Sequence, residues 1–184
     1  MRHTVIALAA TAASLLSSGA MAQAYVGAGA GPSKIDACQG APDCDDSGTA
    51  VKVYGGYKFA GDFAGELSYY SFGKASINLG SSVTAEAKVS GPAIGVAYLP
   101  QLNEDWGLSL RLGATRLKTE SSVSSAFGSG ESSDTTTAAY YGVGVNYSIV
   151  KGVKLELGAD FSRAGSDDNK FDVHAITIGV RAEF

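Results

Sequence analysis

Reactive side chains are scarce in this sequence. It holds two histidines, of which only His174 lies beyond the first few residues, and two cysteines, Cys38 and Cys44, both in the stretch "IDACQGAPDCDDSG". A catalytic nucleophile needs a base and a group to orient that base. His174 is followed by "AITIG", with no serine two residues on. The cysteine stretch lacks histidine and the alternating acids of an EF-hand loop, so it does not read as a metal site. No catalytic, cofactor-binding or metal-binding residue is therefore expected. Charge is thin as well: 17% of residues are charged, the net charge is −4, and no basic patch recommends nucleic acid as a partner. Past the first residues, charges or clusters of Gly and Ser interrupt every apolar run before the ~20 residues that a spanning helix needs.

What is present starts with "MRHTVIALAATAASLLSSGAMAQA", which has one early charge at Arg2, an apolar run from Val5 to Leu16 and a small-residue exit. It reads as a signal peptide over residues 1–22. Two A-x-A sites, Ala20 to Ala22 and Ala22 to Ala24, put the mature start at Gln23 or Tyr25. Residues 23–184 then make one domain. The closing "HAITIGVRAEF" alternates to its last residue, with Ile176, Ile178, Val180 and Ala182 on one face and Thr177, Gly179, Arg181 and Glu183 on the other. That is the period of a strand with one apolar and one polar face. Similar stretches fall near 24–32, 49–59, 62–73, 85–99, 105–119, 135–149, 153–163 and 171–184. The connections "AGD", "PQLNED" and "VKG" are tight, and those between them are longer and polar, such as "PSKIDACQGAPDCDDSG" and "ESSVSSAFGSGESSD". Short turns at one end and long loops at the other are the pattern of an outer-membrane barrel.

Carrying the parity from strand to strand collects Val26, Val53, Leu67, Ile94, Leu112, Val143 and Leu157 on one face. Lys52, Glu66, Arg111, Asn146, Glu156, Asp160 and Arg181 collect on the other, interspersed with glycines. A water-soluble barrel would turn the first set inward. The aromatics decide against that, because Tyr57, Phe63, Tyr98, Trp106, Tyr147 and Phe184 share the apolar face and all lie beside the short turns. Such a row is a girdle at a membrane interface. Tyr69, Tyr141 and Phe161 form a sparser second row toward the long loops, where the parity also places His174. The fold class expected is all-β: an eight-stranded antiparallel up-and-down transmembrane β-barrel, in the outer membrane of a Gram-negative bacterium, with the last strand zipped to the first.

The stretches "AYVGAGAG", "YGGYKF", "FAGELSYYSFGK", "GVAY", "LRLGA" and "GVGVNY", in this order and ending on phenylalanine, resemble the transmembrane domain of the OmpA family over essentially the whole mature chain. The resemblance implies that Phe184 belongs to a signal read by the barrel assembly machinery, with Ala182 where the family usually carries a second aromatic. It also implies a lumen cluster of acidic and basic side chains. Glu66 and Arg111 match that cluster, whereas Gly95 replaces a lysine, Asn146 a glutamate and Glu156 an arginine. What remains is Arg111 between Glu66 and Glu156 in a glycine-lined cavity without apolar contacts, which reads as a plug rather than a gate. The sequence ends at the barrel, so the family's periplasmic peptidoglycan-binding domain is expected to be missing.

Cys38 and Cys44 are expected to pair in the exposed first loop, as the only two cysteines of a secreted chain. Closing so short a loop removes about 2 kcal/mol of unfolded-state freedom. The functional expectation is a monomeric structural, surface-exposed outer-membrane barrel whose long loops serve envelope integrity or contact a host or environmental ligand. Its other partners would be outer-membrane lipid and lipopolysaccharide. The alternatives are a lipid A-modifying enzyme and a narrow low-conductance channel.

Overall fold

The computed structural model describes residues 23–36, 44–78, 84–125, 128–166 and 169–184. The expected signal peptide over 1–22, Cys38 and the tips of the long connections lie outside the described residues. Eight long strands run up and down: β1 (Ala24–Ile35), β2 (Ser47–Ala60), β3 (Phe63–Asn78), β4 (Thr84–Tyr98), β5 (Trp106–Ser125), β6 (Gly128–Val150), β7 (Val153–Ser166) and β8 (Asn169–Glu183). Each pairs antiparallel with its neighbours in sequence, and β8 pairs antiparallel with β1, so the sheet closes on itself. A two-residue piece, Cys44–Asp45, adds to the far end of β3 opposite Ile77 and Ser76.

Closure answers why the alternating pattern runs to the end of the chain. Tyr25 pairs with Glu183 and Ala28 with Val180, and the Phe184 N–H donates to the Ala24 carbonyl at 2.8 Å. A chain end that would fray in water is held because unpaired backbone groups are costly in hydrocarbon. The short turns follow from their sequence. Gly61 and Gly152 take φ of +56° and +81°, which glycine adopts without strain. In "PQLNED" the Asn103 carboxamide oxygen accepts from the N–H groups of Asp105 and Trp106, at 3.0 and 2.7 Å.

The strands at the other end are longer than their composition suggests. The stretch 119–134 reads as a loop because Ser and Gly cluster there, yet β5 and β6 stay paired out to Ser125 opposite Gly128. Backbone pairing is indifferent to whether side chains are serine or valine, and no proline interrupts this hairpin. Elsewhere, too, the strands extend past the expected ends, β3 to Asn78 and β1 to Ile35.

Side chains sort by parity as expected. Leu67, Ile94 and Leu112 are each more than three-fifths exposed on the outer wall, an arrangement that suits lipid and not water. Phe63 lies against Tyr98 at a ring separation of 4.8 Å, Trp106 against Tyr147 at 5.0 Å, and all four are outward at the short-turn end. At the opposite end Tyr141 stacks on Phe161 at 5.1 Å, and His174 follows Phe161 at 6.3 Å.

The barrel wall is thinnest where glycines meet across strands. Gly29 faces Gly179 across the closing seam, and a Cβ on Gly179 would lie 2.2 Å from the Ala28 carbonyl oxygen. Gly179→Ala must displace backbone and should cost about 1 to 3 kcal/mol, the range for forcing extra atoms into a packed site. Gly65 has no atom within 4 Å of its would-be Cβ. Gly65→Ala should change stability by less than about 0.5 kcal/mol. Urea unfolding of the two refolded variants in detergent micelles checks the contrast.

Candidate functional site: the charged lumen

Inward parity carries Arg111 from β5 into the middle of the barrel, almost fully buried. Its Nε donates to Glu66 Oε1 at 2.9 Å and its Nη2 to Glu156 Oε1 at 3.0 Å, while Nη1 reaches Ser109 Oγ at 3.2 Å. The three residues singled out in the sequence are thus brought together, two carboxylates flanking one guanidinium. The expected absence of apolar contact is not what the structure has. The Tyr54 ring lies 4.8 Å from the guanidinium carbon, so a π-face covers part of the cation. Gly95 and Gly113 face each other across β4 and β5, and a Cβ on Gly95 would meet the Leu112 carbonyl oxygen at 2.4 Å. The position where the OmpA family carries a lysine is therefore closed to a side chain here.

The cluster is larger than those three residues. Arg181 Nη1 donates to Glu156 Oε2 at 3.2 Å, and Lys52 Nζ donates to Asp160 Oδ2 at 2.7 Å. The Tyr25 hydroxyl donates to Glu66 Oε2 at 3.0 Å, and the Tyr70 hydroxyl to Asp160 Oδ1 at 3.1 Å. Lys52, Arg111 and Arg181 thus balance Glu66, Glu156 and Asp160, and all six are buried. A buried charge persists only when paired and hydrogen-bonded, and these are both. Near the short turns a second group joins Lys154 and Arg181 to Glu183, at 3.3 and 3.2 Å. Parity marks Lys52, Asp160 and Arg181 as inward. Their pairing across the lumen is set by the stagger of the strands, which parity does not carry.

Inward apolar side chains share the lumen with the charges, in two clusters. Toward the long hairpins, Ile35, Phe72, Val89, Leu117 and Val173 pack with Tyr70 and Tyr140. Toward the short turns, Tyr25, Tyr54 and Leu99 pack with Ala64 and Ala97. The lumen face, expected to carry charges interspersed with glycines, thus also carries two apolar clusters. Tyr25, Tyr70 and Tyr140 were legible as inward from their odd or even positions, since each neighbours an outward apolar residue.

The remaining singled-out residues lie apart from this cluster. Phe184 is outward at the short-turn end, about half exposed. Cys44 pairs through its backbone with Ile77. His174 stands on the outer wall, its Nδ1 3.8 Å from Asp36 Oδ2.

Removing Arg111 should strand two carboxylates. Arg111→Met is expected to cost about 3 to 5 kcal/mol, the range for breaking a buried pair by removing one partner. Adding Glu66→Gln should restore part of the loss. Guanidinium unfolding of the single and double variants in micelles yields the cycle, and strict additivity would show that the side chains do not interact.

Comparison with known proteins places this architecture. The profile of a family described as outer membrane protein beta-barrel domain matches residues 4–184. Among solved structures the chain is similar to Ail, the attachment invasion locus protein of Yersinia pestis, at 20% identity and a TM-score of 0.58, covering 89% of this chain and 100% of that one. The same protein in complex with the heparin analogue sucrose octasulfate gives 19% and 0.60, with the same coverage. Neisserial surface protein A, NspA, gives 20% and 0.61, covering 91% of this chain and 100% of that one. At such identities the likeness is one of fold. A search of curated protein sequences gave no match. With a closed eight-stranded wall, apolar outside and charged within, the chain belongs to the outer membrane protein β-barrel domain family, consistent with its OmpA-like features, and resides in the outer membrane of a Gram-negative bacterium.

Proposed function

We propose that this protein is a non-enzymatic, surface-exposed structural barrel that acts as a monomer and presents its extended hairpins to a host or environmental surface. The observation that carries this reading is the filled lumen, which a network of three cations and three carboxylates shares with two apolar clusters. An eight-stranded wall leaves room for side chains and little else. The likeness in fold to Ail, which has been crystallised with a heparin analogue, and to a Neisserial surface protein supports surface contact as the role. Glu66, Arg111 and Glu156 act in this reading as a structural plug. Phe184 would serve recognition by the barrel assembly machinery, Cys38 and Cys44 would form a disulfide in the first loop, and residues 1–22 would be removed on export.

An acyl-transfer or hydrolytic role needs a nucleophile beside a base. His174 lines an outer groove with Asp36, Thr137, Tyr141 and Ser162, and the Ser162 hydroxyl there is engaged in donating to the Ala139 carbonyl at 3.1 Å. Lipid A from cells with and without the gene should have identical mass spectra, and a change in acylation would favour the enzyme reading.

Three further outcomes follow. The refolded barrel should show no stepwise current in a planar bilayer, and a steady conductance would revive the channel. An epitope tag beside Gly128 should be labelled on intact cells; labelling only after the outer membrane is opened would invert the orientation. Cys38→Ser with Cys44→Ser should leave assembly intact and increase proteolysis of the first loop, whereas loss of the barrel from the membrane would give that loop a larger role.

A further inference from the structure

Like charges stand side by side on one outer wall of the barrel. Lys74 of β3 is directly opposite Lys88 of β4, and both side chains point outward. On β5, Arg116 and Lys118 point the same way, Lys118 opposite Ser90 and one pleat above Arg116. Directly opposed like charges destabilise a sheet, so the pair calls for a compensating anion. The acids at hand are Glu86, which takes Lys74 at 3.1 Å, and Glu120, which takes Lys118 at 2.8 Å. Glu120 is held below the usual carboxylate range by the hydrogen bond from Lys118, with the Lys88 charge adding to it. Among the described residues the patch thus holds four cations to two acids, with Lys88 directly opposite Glu120 and Arg116 opposite Thr137. The wall at the β8–β1 seam differs, since Lys34 and Arg163 there meet Asp36, Asp46 and Asp172.

The same wall is recessed. Pro92 has no N–H to give to β5, and the ladder between β4 and β5 omits the rungs at Gly91 and Pro92. The strands approach so closely there that a Cβ on Gly91 would lie 2.0 Å from the Arg116 carbonyl oxygen. The resulting groove, about 430 Å³, is bounded by Tyr69, Pro92, Arg116, Lys88 and Lys118, with Glu120 at its edge on Lys118. A second groove of about 500 Å³ continues it toward the hairpin tips past Lys74 and Glu86. Below Tyr69 and Pro92 the wall is apolar, with Leu67, Ile94 and Leu112 exposed.

We infer that this recess binds one phosphate-bearing glycolipid of the outer leaflet, its acyl chains on the wall at Leu67, Ile94 and Leu112 and a phosphate between Lys88, Arg116 and Lys118. The vertical order of the site matches such a lipid: hydrocarbon, then the interfacial Tyr69, then cations. A soluble sulfated glycan would reach the hairpin tips from above, whereas this groove opens sideways at the level of the aromatic row. The inference rests on the proposed reading that the long-hairpin end faces outward.

Native mass spectrometry of the refolded barrel, released from micelles doped with bisphosphorylated lipid A, reads the binding without reference to orientation. The Gly128 tag reads orientation separately. The wild-type barrel should retain one lipid A, monophosphorylated lipid A less, and phosphatidylglycerol least. Lys88→Ser with Arg116→Ser should weaken retention about fivefold for each cation removed, while Lys34→Ser with Arg163→Ser on the other wall should retain the wild-type level. Equal retention by both double variants would overturn the site, as would equal retention of phosphatidylglycerol. Displacement of the lipid by sucrose octasulfate would reassign the groove to a sulfated glycan. Far-UV circular dichroism of each variant before release ensures that loss of lipid is not loss of the barrel.

Discussion

Everything in this structure depends on the pairing of β8 with β1. In hydrocarbon a backbone N–H or C=O without a partner costs several kcal/mol, so a sheet can cross a membrane only by having no edge. Ala28 opposite Val180 and Tyr25 opposite Glu183 remove that edge. Once the sheet is closed, strand parity forces each residue to face either lipid or lumen, and the composition of both surfaces follows. The glycine pair Gly29 and Gly179 at this seam lets the two strands approach without side chains between them on the inside.

The lumen then faces a conflict that lipid does not impose on the outside. Eight strands enclose too little space for bulk water, yet long charged side chains project into it. The conflict is resolved by neutralisation in place. Arg111 is shared between Glu66 and Glu156, Glu156 is shared again with Arg181, and Lys52 and Asp160 close the set. Tyrosine supports the arrangement twice over. Hydroxyls of Tyr25 and Tyr70 donate to carboxylates, and the rings of Tyr54 and Tyr25 lie 4.8 and 5.5 Å from the Arg111 and Arg181 guanidinium carbons. Replacing one member changes the environment of its neighbours, so the cluster is expected to respond to substitution as a unit.

The fold was legible in the sequence because period two is a local signal and girdle aromatics mark its outer face. Phe63, Tyr98, Trp106 and Tyr147 needed only their parity and their closeness to short turns. Strand ends were less legible, since Ser and Gly at 120–134 signal a loop by composition while the backbone continues its ladder. Within the lumen, Glu66, Arg111 and Glu156 could be found by likeness to a family pattern. Lys52 and Asp160 are 108 residues apart and meet only because of barrel stagger, so no local pattern announces them. The apolar clusters are hidden for a related reason: Val89, Leu117 and Val173 read as ordinary strand residues until each is assigned a side.

The central claim is that lipid, and not a packed core, covers the apolar face. A single tryptophan at either of two neighbouring positions tests it, in a Trp106→Phe background reconstituted into vesicles of lipids brominated at mid-chain. Leu112 points outward and Tyr140, on the adjacent strand beside Gly113, points inward. Leu112→Trp should be strongly quenched and Tyr140→Trp left unquenched. Quenching of Tyr140→Trp with protection of Leu112→Trp would mean that the faces are reversed, and the account of wall, lumen and function would fall with them.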